Sequence, residues 1–111
     1  MSLDLATVYF DFDRSEIRQD ARRVLRSNAE TLKQADANIT IEGHCDERGN
    51  EEYNLALGDR RASAVKKYLV NVGVSGSRMR TISYGESKPA VSGHDESAWR
   101  WNRSTQFRTN R

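Results

Sequence analysis

Asn38-Ile39-Thr40-Ile41-Glu42-Gly43, then His44-Cys45-Asp46-Glu47-Arg48-Gly49-Asn50, then Glu51-Glu52-Tyr53-Asn54 is the stretch that decides the fold. Its first part alternates apolar and polar residues, the signature of a half-buried strand. Its second part is polar and bracketed by glycines, which makes it a loop. Glu51 and Glu52 then sit well at the positive end of a helix dipole, and the helix they open runs to about Asn71, where Gly73 stops it. Lys66 and Lys67 suit its negative end.

Working outward, Val8-Tyr9-Phe10-Asp11-Phe12-Asp13 reads as a first strand, with Asp11 and Asp13 on the face opposite Phe10 and Phe12. From Ile17 the apolar residues Ala21, Val24, Leu25, Leu32 and Ala35 recur at helical spacing, which predicts a helix over about 18–34. Met79 to Tyr84 is a third strand by its β-branched and aromatic content, and the stretch from Gly85 to Gly93, with Pro89, is a loop. Asp95 can cap a short helix through about Trp101, and Ser104 to Arg108 alternates as a closing strand, with Thr105 and Phe107 on one side. The order β-α-β-α-β-α-β predicts an α+β fold. It is a two-layer sandwich, with two main helices on one face of a small mixed four-stranded sheet and a short third helix.

A chain of 111 residues suffices for one domain, taken as residues 8–111 behind a lead-in of 1–7 in which Met1-Ser2-Leu3 reads as an appended start. Eighteen basic and sixteen acidic residues leave a net charge of +2, a weak footprint for nucleic-acid binding. The single cysteine, Cys45, cannot form an internal disulfide. No run of about eighteen apolar residues and no basic-then-apolar leader is present, so neither a membrane span nor an export signal is expected in this stretch.

On a wheel of about 100° per residue, Tyr53, Leu57, Ala64, Val65, Tyr68, Leu69 and Val72 form the apolar arc of the second helix. Arg61 projects into that arc near its centre, with Asn54 two turns earlier on almost the same line. A buried guanidinium keeps its proton and calls for an acidic partner, and Asp46 in the preceding loop is the nearest by topology. Two readings of an Asp46–Arg61 pair stay open. One is an internal ion pair that staples the loop to the helix. The other is a site for a zwitterion, with the guanidinium taking a carboxylate and the aspartate an ammonium.

Gly43 to Gly49, Tyr53-Asn54, Leu57-Gly58 and Arg60-Arg61-Ala62 resemble the signature of the OmpA-like domain family. The likeness extends over Tyr9 to Asp13, Ser83 to Glu86 with Lys88-Pro89, and Gly93 to Arg103, almost the whole chain. Asp46-Glu47-Arg48-Gly49 and Gly93-His94-Asp95-Glu96 are most similar to the family's Pal class, the peptidoglycan-associated lipoproteins, rather than to its porin or flagellar-stator members. The resemblance implies a non-catalytic domain without a cofactor that tethers the outer membrane to the cell wall. It would bind peptidoglycan through the diaminopimelate of the stem peptide. It gives Asp46 and Arg61 the ligand's amino and carboxylate groups, has Phe12, Asp13 and Arg14 offer backbone amides, and places Asn54 and Leu57 along the pocket. It also implies contacts from Asn102 and Arg103, although Ser104 and not a second arginine follows. It further implies a location at the periplasmic face of the outer membrane, a lipid anchor ahead of these residues, and the Tol system's periplasmic β-propeller protein as a partner.

A hydrolase would need His44 and Asp46 as an acid-base pair with Cys45 as nucleophile, but neighbours on a strand end point apart and only His94 remains to complete a set. Cys45 is expected to be a small filler. Arg100, Arg103, Arg108 and Arg111 with Trp99 and Trp101 form a conceivable single-strand nucleic-acid patch, or else a solvated tail with two aromatics on the core. The weak net charge favours the second, and no nucleic-acid partner is expected.

Overall fold

In the computed structural model, which describes residues 3–110, the first part of the loop-bearing stretch forms an inner strand of the sheet. Strand β2 spans Asn38–His44 and helix α2 spans Glu51–Asn71. Around them lie β1 (Val8–Tyr9), α1 (Gln19–Gln34), β3 (Met79–Gly85), α3 (Glu96–Asn102) and β4 (Ser104–Asn110). The sheet order is β1-β4-β2-β3, with β3 parallel to β2 and β4 antiparallel to both of its neighbours. The α+β class, four strands and three helices agree with expectation.

Ile39 and Ile41 of β2 project from the sheet face that receives Leu25, Ala29 and Leu32 of α1 and Ala62, Val65 and Leu69 of α2, so both long helices share one core on one side. Each fully buried aliphatic side chain contributes roughly 1.5–3 kcal/mol. A 3-10 turn at Gly76–Arg78, for which the sequence carries no clear signal, brings Arg78 beneath the end of α1. Its guanidinium donates to the carbonyls of Leu32, Ala35 and Ala37 at 2.8–3.0 Å, satisfying groups that a helix end leaves without partners.

Two expectations are corrected. The first strand ends at Tyr9 rather than Asp13. Phe10 is buried, but the chain then turns, with the Arg14 N–H donating to the Asp11 carbonyl and Asp13 at φ 56°, so Phe12 stands 52% exposed. Alternation in the sequence could not reveal that turn, because an aspartate fits a strand edge and a left-handed turn equally well.

The buried stripe of α2 is also rotated from the predicted arc. Asn54, Leu57, Gly58, Arg61, Ala62, Val65 and Leu69 face inward, while Tyr53 is 43% exposed and Ala64, Tyr68 and Val72 lie at the margin. The cause is a close approach of two glycines. A Cβ at Gly43 would fall 1.8 Å from the carbonyl oxygen of Gly58, so backbone meets backbone and the helix settles with this face on β2.

No helix among the described residues is long and apolar enough to cross a membrane.

Candidate functional site

Three segments converge where α2 leaves the sheet: the turn after β1, the loop from β2, and the first turns of α2. The loop is set by Gly49 at φ 94° and by Asn50, whose side chain accepts from the Tyr53 N–H at 2.7 Å and caps α2. Between the segments lies a cavity of about 220 Å³. Phe12, Asp13, Asp46, Asn54, Leu57 and Arg61 all line it, so six residues singled out from the sequence meet in one place.

Arg61 points inward as expected and is 1% exposed, yet its partner is not Asp46. Its Nε donates to the Arg14 carbonyl at 2.8 Å, Nη1 to the His44 carbonyl at 2.9 Å and Nη2 to the Asp11 carbonyl at 3.0 Å. The β1 turn curls over the guanidinium and brings main-chain oxygens closer than any carboxylate. Burial pulls the Arg61 pKa down, with the nearby Asp46 charge working against that shift, but an arginine does not give up its proton. The outcome is a buried positive charge held by neutral dipoles, with N–H donors left over beside the cavity.

Asp46, 4% exposed, is turned to another residue. Its Oδ1 accepts from the backbone N–H of Arg48 at 3.0 Å, a local turn that aims the carboxylate along the Arg48 side chain. Arg48 Nε and Nη2 complete a two-pronged pair at 3.2 and 2.9 Å. Burial alone would raise the Asp46 pKa, but these hydrogen bonds and the charges of Arg48 and Arg103 outweigh it and hold the carboxyl below its usual range. Arg48 stands in the family signature, but its residue type alone indicates no role. Here its guanidinium lies 3.7 Å from the centre of the Phe12 ring and 4.1 Å from that of Trp99, clamped between two aromatic faces.

Arg103 is buried outside the cavity. It donates to the Phe10 carbonyl at 2.9 Å and to Glu96 at 2.6 Å and reaches Asp46 at 3.5 Å, so it braces the aspartate from behind. Asn102 lies apart, making a pair of hydrogen bonds with the backbone of Val91 at 2.8 and 2.9 Å. It lines a neighbouring space and not the cavity of Asp46 and Arg61. Asn54 is fixed by donating to Glu86 at 2.9 Å. The hydroxyl of Tyr53 donates to Asp13, tying the helix to the turn.

Cys45 lies buried on the cavity wall with its thiol donating to the Asn54 carbonyl, and burial pushes its pKa up to about 11, the opposite of a nucleophile's thiolate. The His44 ring stacks on Tyr84 and faces Glu42 at 3.7 Å, away from Cys45 and Asp46. The basic residues proposed as a patch are dispersed: Arg103 is buried, Arg108 pairs with Glu42 at 3.4 Å, and Arg100 lies over Trp101, which packs edge-on to Tyr9. Arg111 lies outside the described residues.

The model of the OmpA family matches residues 9–103, a span that holds the turn, the loop and every residue of the cavity. The chain belongs to the OmpA family. This OmpA-family domain is 44% identical over 104 residues to the peptidoglycan-associated lipoprotein of Pseudomonas aeruginosa, covering 94% of this chain and 62% of that protein. It is 55% identical over 97 residues to the protein of the same name from Rhizobium meliloti, covering 86% of this chain and 55% of that one. It therefore spans somewhat more than half the length of these relatives. The crystal structure of the peptidoglycan-associated lipoprotein from Burkholderia pseudomallei superposes with a TM-score of 0.90 at 41% identity, covering 94% of this chain and 89% of the other. The C-terminal domain of Helicobacter pylori MotB, at 19% identity and a TM-score of 0.89, shares the fold.

Proposed function

We propose that this OmpA-family domain holds peptidoglycan non-covalently by gripping the zwitterionic end of a stem peptide, the diaminopimelate, in the cavity between Arg61 and Asp46. One observation carries the reading: a buried guanidinium with no carboxylate as its direct partner shares a cavity with a carboxylate. A ligand carboxylate would supply the anion that Arg61 lacks, using its spare N–H donors together with the backbone amides of the Phe12–Asp13 turn. The ligand ammonium would go to Asp46. Leu57 and the ring of Phe12 would flank the methylene chain that leads from this doubly charged carbon back to the rest of the stem peptide.

The names of the relatives support this reading, and the resemblance extends it to tethering of the outer membrane from its periplasmic face. A lipid anchor outside these residues and the periplasmic β-propeller protein of the Tol system complete that proposal. The role is holding and not cutting, as the protonated Cys45 and the averted His44 suit no hydrolytic step. In the resemblance Asn102 and Arg103 contact the ligand. Their positions favour supporting roles, Arg103 behind Asp46 and Asn102 on the loop at Val91.

The test is sedimentation with purified sacculi, with free diaminopimelate, cadaverine and pimelate as competitors. Retention that only diaminopimelate relieves is the expected result, since the other two each lack a group that the site requires. Failure to sediment, or equal competition by all three, would overturn the proposal.

A further inference from the structure

Asp46 is not free to meet an ammonium. Both of its oxygens are occupied by Arg48, through one backbone and two side-chain hydrogen bonds, and Arg103 adds a longer contact from behind. Arg48 is itself held by more than this pair. Its guanidinium is stacked between Phe12 and Trp99, and its Nη2 lies 3.7 Å from Glu96. It also lines the cavity, unlike Arg103.

We infer that Arg48 is a built-in stand-in for the ligand's ammonium, which must be displaced from Asp46 before a doubly charged ligand can bind fully. The inference rests on the proposed grip of diaminopimelate and adds to it a residue that sets specificity. The exchange is one cation for another at the same carboxylate, so Asp46 keeps a partner throughout and no buried charge is stranded. Only a ligand bearing an ammonium can complete it. A ligand with the carboxylate alone can reach Arg61 while Arg48 stays in place, and gains nothing at Asp46.

Arg48 has somewhere to go. It is partly exposed, and the more exposed Glu96 carboxylate beside it offers a second seat. Arg103 remains bound to Phe10 and Glu96 in either state and keeps the aspartate oriented. The displaced contacts, one partly exposed ion pair and two aromatic stacks, are weak enough individually to be exchanged by a ligand.

The predicted signature is the reverse of that of a contact residue. Arg48→Ala should bind a stem-peptide fragment ending in diaminopimelate about fivefold more tightly than the parent does. Its affinity for the same fragment ending in 2-aminopimelate, which lacks the distal ammonium, should stay within about twofold. Arg48→Gln should behave alike, and circular dichroism establishes that both variants are folded. Trp99 supplies an independent readout, because in a Trp101→Phe background it is the only tryptophan. Binding of the diaminopimelate fragment should change its fluorescence as the guanidinium leaves the ring, and adding Arg48→Ala should abolish that change. Weaker binding of the diaminopimelate fragment by both Arg48 variants, or an equal change for both fragments, overturns the stand-in role alone. If the parent binds neither fragment, the proposed function falls and this inference with it.

Discussion

Nη1 of Arg61 donates to the carbonyl oxygen of His44 over 2.9 Å, joining the middle of α2 to the last residue of β2. The same guanidinium holds the β1 turn through Asp11 and Arg14, so one side chain fastens three segments of the cavity wall. Arg61→Ala would leave three carbonyls to find new partners, at about 1–3 kcal/mol for each that stays buried and unpaired. The expected result is a loss of at least about 3 kcal/mol in urea unfolding, with Arg61→Lys recovering only part of it because an ammonium lacks the planar fork. A loss below about 1 kcal/mol would show that the carbonyl cradle is not structural.

Asp46→Asn keeps the shape of the side chain and removes the charge. Arg48 can turn to solvent and Arg103 retains Glu96, so the domain should remain folded while sedimentation with sacculi falls about tenfold or more. The same charge sets a pH window. Because the folded-state pKa of Asp46 is depressed below the ordinary 3.8, its contribution to stability is complete above that value and is lost as the pH falls through the lower, folded one. Binding should therefore show no Asp46-dependent loss between neutral pH and about 5, which a sedimentation series across that range would check.

Gly43→Ala places a methyl group against the backbone oxygen of Gly58, where neither partner can rotate away. Gly58→Ala first meets the Ser83 hydroxyl, a side chain that can move, although Gly43 stands 3.0 Å behind it. The first substitution should cost about 3 kcal/mol or more and the second distinctly less. Thermal unfolding of the two variants side by side decides the order, and the reverse order would refute this account of how α2 sits on β2.

The two histidines should titrate on opposite sides of the ordinary value of 6.5. His94 is raised by its hydrogen bond and charge pairing with Glu47, whereas burial lowers His44 despite the opposing influence of Glu42. For His94 the sign makes the Glu47 contact fully stabilising below 6.5 and lost as the pH rises through its higher folded pKa. For His44 acidification below 6.5 is destabilising, because the unfolded chain takes up the proton first. Proton NMR of the ring resonances separates the two, and Glu47→Gln should bring His94 back toward 6.5 without moving His44.

The three helices and the last three strands are legible to within one or two residues, α1, β2 and β4 from their periodicity, β3 from its β-branched and aromatic content, and α2 and α3 from the residues that open and close them. Periodicity also makes Arg61 conspicuous, since a charge on an apolar stripe needs no coordinates to be noticed. What could not be read was the identity of its partners. Carbonyl oxygens have no letter in a sequence, so a cradle formed by Asp11, Arg14 and His44 is invisible, and the nearest acidic residue is the partner that topology offers instead. Arg48 went unassigned for a related reason. Its meaning lies in two rings, Phe12 and Trp99, that the chain brings together from opposite ends of the domain.

Strand β4 is threaded between β1 and β2, and its residues Ser104–Asn110 are the last that the structure describes. A chain that emerges amino end first, from a ribosome or through a translocation pore, thus has β1 with nothing to pair against and β2 with one flank bare until those residues arrive. The sheet cannot be completed before that strand is available. The Arg103 that braces Asp46 immediately precedes that strand, so the support behind the aspartate is among the last parts of the site to be supplied.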